Sequence, residues 1–157
     1  MNPYMLKAPP LTADALERIA TAVPAHRHDE RTDPDRFTLR EAIAHMADWE
    51  PIFLERIQNA VEHDDYQIVP YDESELAEKN GYAHQDVMQS IAKFRADRQR
   101  TLAYVRGLTR EQLDRPVVHP ELGSMRVSDI VNQLSGHDLY HLEHLTQYLL
   151  GKTAGTW

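Results

Sequence analysis

Apolar residues recur along this chain at the three-to-four-residue spacing of amphipathic helices, and four segments carry the pattern. The first covers residues 11–23, with Thr12 as its expected N-cap. The second opens with the sequence TLRE, in which Thr38 and Glu41 fit a capping box, and runs to about residue 61. Both segments are therefore predicted to be helices.

The third helix is predicted from about residue 84 to residue 106, where Gly107 is a suitable C-terminal cap. The last is predicted to start at a Ser128 cap and to run to Leu150, before Gly151. Inside the second helix, Pro51 predicts a kink, because proline removes one backbone hydrogen bond.

One short and two long connections join these helices. Residues 24–36 are polar, residues 63–83 contain turn signals, and two prolines and a glycine are expected to keep residues 114–124 irregular. Little of the chain has a strand pattern. The prediction is an all-α fold, a four-helix bundle with long crossover connections, in which residues 1–157 form a single domain.

Composition narrows the functional class. The chain is 41% hydrophobic and 27% charged, with no long apolar run, so we expect a soluble protein with no membrane partner. Its net charge of −8 and scattered basic residues argue against binding to nucleic acid. With no cysteine, it offers neither a disulfide nor a thiolate ligand. The amino-terminal sequence lacks signal-peptide features, and a cytoplasmic location is expected.

The sequence HDLYH in the last helix contains two histidines at an i, i+4 spacing. His137 and His141 fall within roughly 20° of the centre of the apolar stripe, so both are expected to point inward. This spacing places two imidazoles one turn apart on one face, as metal sites on helices do. Paired core histidines, or a metal-free acid/base site, would show the same pattern.

His45, in the second helix, flanks the apolar stripe and borders the predicted core, so it could complete a three-histidine set. A boundary histidine bonded to the backbone is the alternative. HDLYH also resembles the zinc-protease pattern H-E-x-x-H, but Asp138 is shorter than glutamate and points roughly 80° from the stripe centre. A protease of that type is not expected.

Two charged residues occupy the centres of apolar stripes. Glu50 lies there in the second helix and Arg98 in the third, which makes them candidate catalytic residues, with Arg98 able to anchor a substrate carboxylate. The competing interpretation is that they pair as a buried salt bridge. Trp49 and Tyr140 are candidate substrate-binding residues, although aromatic residues at helical spacing usually belong to the core.

The chain resembles the DinB-like family of metal-binding four-helix proteins. The resemblance covers most of the chain and depends on the order and spacing of FTLREAIAHMADWEP, PYDE, FRADRQRTL, HPELGSMRVSDIV and GHDLYHLEHLTQYL. The family pattern has one histidine in the second helix and H-x3-H in the last, which carries over to His45, His137 and His141. It departs at His144, where such sequences commonly have glutamine, and we expect a pocket wall there rather than a fourth ligand.

The resemblance implies a homodimer with a divalent metal (zinc, nickel or another) in a cleft, and we expect zinc or nickel here. It implies one of two activities. A hydrolase would use the metal to acidify water, whereas a thiol-dependent S-transferase would use a low-molecular-weight thiol. Either enzyme would act on a small-molecule substrate. A non-catalytic metal- or ligand-binding stress-response protein is the alternative.

Overall fold

Four long helices form the bundle in the computed structural model, which describes residues 4–150. They are α2 (Pro9–Ala22), α3 (Leu39–Glu62), α5 (Val87–Arg106) and α7 (Val127–Leu150). Three short helices are α1 (Tyr4–Lys7), α4 (Glu73–Lys79) and α6 (Arg110–Leu113), and two single 3-10 turns cover Ala25–Arg27 and Tyr82–His84. The predicted all-α four-helix bundle is confirmed.

The order of the helices around the bundle differs from their order along the chain. α2 packs against α5 and α7, and α3 packs against the same two helices. Consecutive long helices α2 and α3 therefore occupy opposite corners, and the chain crosses the bundle between them. This arrangement puts α3 directly beside α7, as their inward histidines require.

The start of α3 follows the predicted capping box. Thr38 Oγ1 accepts a hydrogen bond from the Glu41 backbone, and the Glu41 carboxylate accepts one from the Thr38 backbone. The helix then runs through Pro51 without a break. Because Pro51 has no N–H, it leaves the Ala47 carbonyl without its helical donor, and Lys93 Nζ donates to that oxygen at 2.7 Å. The kink stays a prediction.

Three predicted helix starts are wrong. α2 begins at Pro9, so Thr12 is not a cap but an interior residue whose hydroxyl donates to Asp138. α5 begins at Val87, three residues later than expected, because the Asp86 side chain caps it. α7 begins at Val127, before Ser128. The predicted stop at Gly151 lies outside the described residues.

The connections contain more regular structure than the sequence suggests. Residues predicted to be irregular form an antiparallel hairpin of β1 (Pro116–His119) and β2 (Gly123–Arg126), with Gly123 at a φ of 75°. The hairpin also binds the connection between α3 and α4, since Ile68 N donates to the Val118 carbonyl at 2.8 Å. Within the long connection, α4 begins at an Asp72 cap.

A buried ion network joins all four long helices. Arg98, on α5, pairs with Glu50 on α3 at 2.8 Å and with Asp138 on α7 at 2.6 Å, and it donates to the Pro9 carbonyl of α2 at 3.1 Å. Thr12, also on α2, donates to Asp138. The three charged side chains are at most 5% exposed. The expected salt bridge between Glu50 and Arg98 is therefore present, with Asp138 as an additional partner.

We predict that Arg98→Met lowers the free energy of unfolding by roughly 3–5 kcal/mol, because it leaves two buried carboxylates unpaired. Urea denaturation of the purified variant measures this. Arg106→Met is the control, since Arg106 is an exposed residue at the end of the same helix and its loss should change stability by less than about 0.5 kcal/mol. Equal effects of the two substitutions would show that the network does not stabilise the fold.

Candidate metal centre

Three histidines from two helices converge in the bundle. His45 lies on α3, and His137 and His141 lie one turn apart on α7. One ring nitrogen of each lies within 4.8 Å of the others, and His45 Nε2 is 3.1 Å from His137 Nε2. Among the described residues, this is the only group of three or more potential ligands that could hold one metal ion.

The site keeps these imidazoles uncharged. Burial, together with the neighbouring His137, lowers the pKa of His45 to about 3. Burial likewise lowers the pKa of His137 to about 4 and, with the other histidines and Arg36 contributing, that of His141 to about 2. A neutral imidazole is the form that binds a metal ion.

The hydrogen bonding of the cluster is incomplete within the part of the chain that the structure describes. His45 Nδ1 and His141 Nδ1 are buried without a hydrogen-bond partner. Two nitrogens bound to one ion lie at most about 4.2 Å apart, twice a usual metal–nitrogen distance. The His45–His137 separation of 3.1 Å meets this limit, and no separation in the group exceeds 4.8 Å. The residues therefore fit a divalent metal ion.

Two clefts flank the histidine cluster. The first, here called the His141 cleft, has a volume of about 330 Å³, and the second, the His137 cleft, about 450 Å³. Glu73, at the start of α4, lines both. The His141 cleft is also lined by Arg36, Phe37, Tyr140 and His144, and the His137 cleft by Trp49, Arg56, Tyr71, His119 and Glu121.

Each residue expected to bind substrate lines one of these clefts. Trp49, 8% exposed, lines the His137 cleft and contacts the ring of His45. Tyr140 lines the His141 cleft, with the Arg36 guanidinium 4.4 Å from its ring centre. His144 is buried, lines the same His141 cleft and lies outside the three-histidine group. Its Nε2 has no hydrogen-bond partner among the described residues. Their roles in binding stay predictions.

The two candidate catalytic residues lie in the ion network. Glu50 uses Oε2 for Arg98, while its Oε1 is buried without a partner in the described part of the chain. Burial by itself lowers the pKa of Arg98, but the hydrogen bonds that Arg98 donates to Asp138 and Glu50 raise that pKa above its usual range. Arg98 is therefore a permanent cation with two carboxylates, and a direct role for Glu50 or Arg98 in catalysis stays a prediction.

Two residues near the site were missed in the sequence. Asp138 points away from the centre of the apolar stripe, yet it is 3% exposed and accepts hydrogen bonds from Arg98. Arg56 lines the His137 cleft and was not singled out. It follows His45 by three helical turns, within roughly 20° on the same face, and that spacing was a usable signal.

Comparison with known proteins identifies the family. Residues 11–145 match the DinB superfamily. The chain belongs to this superfamily. A protein of Oceanobacillus iheyensis, whose name proposes a metal-dependent hydrolase, is 30% identical over 110 residues. That match covers 70% of this chain and 63% of the relative's length.

Two solved DinB-like structures share the fold. YfiT of Bacillus subtilis, described as a probable metal-dependent hydrolase with an unusual four-helix bundle topology, is 20% identical with a TM-score of 0.86. That alignment covers 95% of this chain and 87% of YfiT. The DinB-like protein YjoA of Bacillus subtilis is 13% identical with a TM-score of 0.62, over 98% of this chain and 96% of YjoA. No helix of residues 4–150 is long and apolar enough to cross a membrane.

We predict that His144 makes the stability of the metal-free protein depend on pH. Burial lowers the pKa of His144 to about 4, so between pH 6 and 5 the unfolded chain takes up its proton and the folded chain does not. Stability therefore falls as pH falls, by up to about 1.4 kcal/mol per pH unit for each such histidine. His144→Gln should reduce this slope.

Urea denaturation at pH 6, 5.5 and 5 in the presence of a chelator measures the slope. His63→Gln is the matched control, because it removes an exposed histidine that lies outside both clefts. An unaltered slope in His144→Gln would contradict the prediction.

Proposed function

We propose that this protein is a metal-dependent hydrolase of small molecules, whose divalent ion is bound by His45, His137 and His141. The convergence of three neutral imidazoles between two clefts is the observation that carries the proposal. The relative that is named as a hydrolase adds support. Zinc and nickel are the proposed ions, because both accept imidazole ligands.

The number of ligands favours a catalytic rather than a structural metal. Structural zinc sites have four protein ligands, whereas catalytic sites have three and keep one position open. His144 is not part of the three-histidine group, so it does not provide a fourth ligand in this arrangement. Such an ion supplies Lewis acidity, which promotes deprotonation of water or of a thiol.

The protein's own residues orient the substrate and shield the site from water. Trp49 and Phe53 form an aromatic wall of the His137 cleft, and Tyr140 and Phe37 border the His141 cleft. Glu73 lies between the two clefts and lines both. In this proposal a substrate enters one cleft, and its reacting group meets the three histidines.

A thiol-dependent S-transferase is the second candidate function. Two separate clefts reach the histidine cluster, as a reaction between two small molecules would require. The chain has no cysteine, so the low-molecular-weight thiol would be a cosubstrate. The homodimer and the cytoplasmic location expected from the sequence also stay predictions.

We predict that His45→Ala, His137→Ala and His141→Ala each lose the metal, because two imidazoles hold a borderline ion weakly. His144→Ala and the exposed-residue control His63→Ala should each keep about one equivalent of metal. Elemental analysis of untagged, dialysed protein gives the stoichiometry. Retention of a full equivalent by His137→Ala or His141→Ala would remove the basis for the triad, and loss from His144→Ala would make it a ligand.

The activity test compares the two chemistries on the same zinc- or nickel-loaded protein. A hydrolase should cleave activated aryl esters at a rate that chelation abolishes and His45→Ala reduces at least about a hundredfold. An S-transferase should instead conjugate a low-molecular-weight thiol to an aryl halide with the same dependence. A metal-loaded protein with neither activity would favour the non-catalytic alternative.

A further inference from the structure

Arg56 places a buried positive charge against the His137 cleft. It lies on α3, is 6% exposed and lines that cleft together with His137. Its Nη2 donates to the Val69 carbonyl at 2.9 Å, while its Nε is buried without a hydrogen-bond partner among residues 4–150. The guanidinium therefore has unused donor capacity beside the candidate metal centre.

The two buried arginines of the bundle differ in their counter-ions. Arg98 is matched by the carboxylates of Glu50 and Asp138. Arg56 has no carboxylate of the described residues within ion-pairing distance. A buried charge without a partner is unfavourable. The presence of Arg56 in such a position therefore indicates that an anion from outside the protein pairs with it.

Aromatic rings hold the Arg56 guanidinium in place. Its central carbon lies 5.1 Å from the ring centre of Trp49 and 5.8 Å from that of Tyr71. Such contacts stabilise the cation and fix its plane without using any of its N–H donors, of which Nη2 already binds the Val69 carbonyl. Burial lowers the pKa of Arg56, yet a guanidinium stays protonated in proteins.

We propose that Arg56 binds a carboxylate of the substrate in the His137 cleft, which makes small carboxylate-bearing molecules the substrate class. This rests on the proposed function, in which the reacting group of the substrate meets the adjacent histidines. A guanidinium presents paired donors that match the two oxygens of a carboxylate. The cleft volume of about 450 Å³ suits a small organic molecule.

The other charges of the cleft favour a singly charged anion. Glu73 and Glu121 also line it, so one arginine faces two exposed carboxylates. A doubly charged phosphate would meet more repulsion there than a carboxylate does. The aromatic lining, from Trp49, Phe53 and Tyr71, favours an aromatic or otherwise apolar body on the acid.

Benzoate and its neutral analogue benzamide are the probes. We expect benzoate to bind the metal-free, chelator-treated protein in the His137 cleft, detected by NMR titration, at least about tenfold more tightly than benzamide. Arg56→Met should remove this preference without changing benzamide binding, and Arg56→Lys should keep part of it. Arg110→Met, at an exposed residue outside both clefts, should behave as wild type.

Two further measurements separate binding from structural roles. Arg56→Met should unfold at the same or a higher temperature, because it removes an unpaired buried charge, and it should still bind one equivalent of metal. A large loss of stability would overturn the proposal in favour of a structural role. Because the titration uses metal-free protein, a lack of benzoate binding would not count against the proposed metal centre. Conversely, if the protein bound no metal, the titration would still test the role of Arg56.

Three binding results would also overturn the proposal. The first is equal affinity of wild type and Arg56→Met for benzoate. The second is benzoate binding that occurs only in metal-loaded protein and is insensitive to Arg56, since the carboxylate would then be held by the ion. The third is tighter binding of phenyl phosphate than of benzoate, which would replace the carboxylate with a phosphate.

Discussion

The four long helices meet at the buried pairing of Arg98 with Glu50 and Asp138. It connects α5 to α3 and α7, and Arg98 also reaches α2 through the Pro9 carbonyl. Three charges have few acceptable arrangements in a low-dielectric interior, so the network specifies one alignment of the helices. Hydrophobic packing alone would tolerate the sliding of one helix along another far better than such a network does.

This alignment sets the relative positions of the candidate ligands. Asp138 directly follows His137 on α7, and Glu50 lies five residues after His45 on α3. Because Arg98 holds both carboxylates, it fixes the register of α3 against α7 close to the histidines. The ion network thus orients the helices, while the imidazoles remain neutral and available. Arg98 thus positions the helices that carry the site, whereas Arg56, which forms no ion pair with a carboxylate of residues 4–150, is the proposed contact to the ligand.

Helical periodicity was sufficient for the fold class and for the inward positions of His137 and His141, which lie at the centre of a strong apolar stripe. It left His45 at the flank of its stripe, and the family resemblance was needed to add this residue to the set. It was insufficient for Asp138, because α7 packs against both α3 and α2, and its buried face is wider than one stripe. The prediction of Thr12 as a cap fails because its hydroxyl donates to Asp138, a residue 126 positions away that no local pattern can reveal. The hairpin strands have only four residues each, too few for alternation to stand out.

The position of the ion itself is the most direct test of the three-histidine metal centre. Crystals of the zinc-loaded protein, measured on both sides of the zinc absorption edge, would reveal it by anomalous scattering. We expect one peak within about 2.0–2.2 Å of a ring nitrogen of each of His45, His137 and His141, with an open side facing a cleft. A peak bound by other residues, or no peak between α3 and α7, would contradict it.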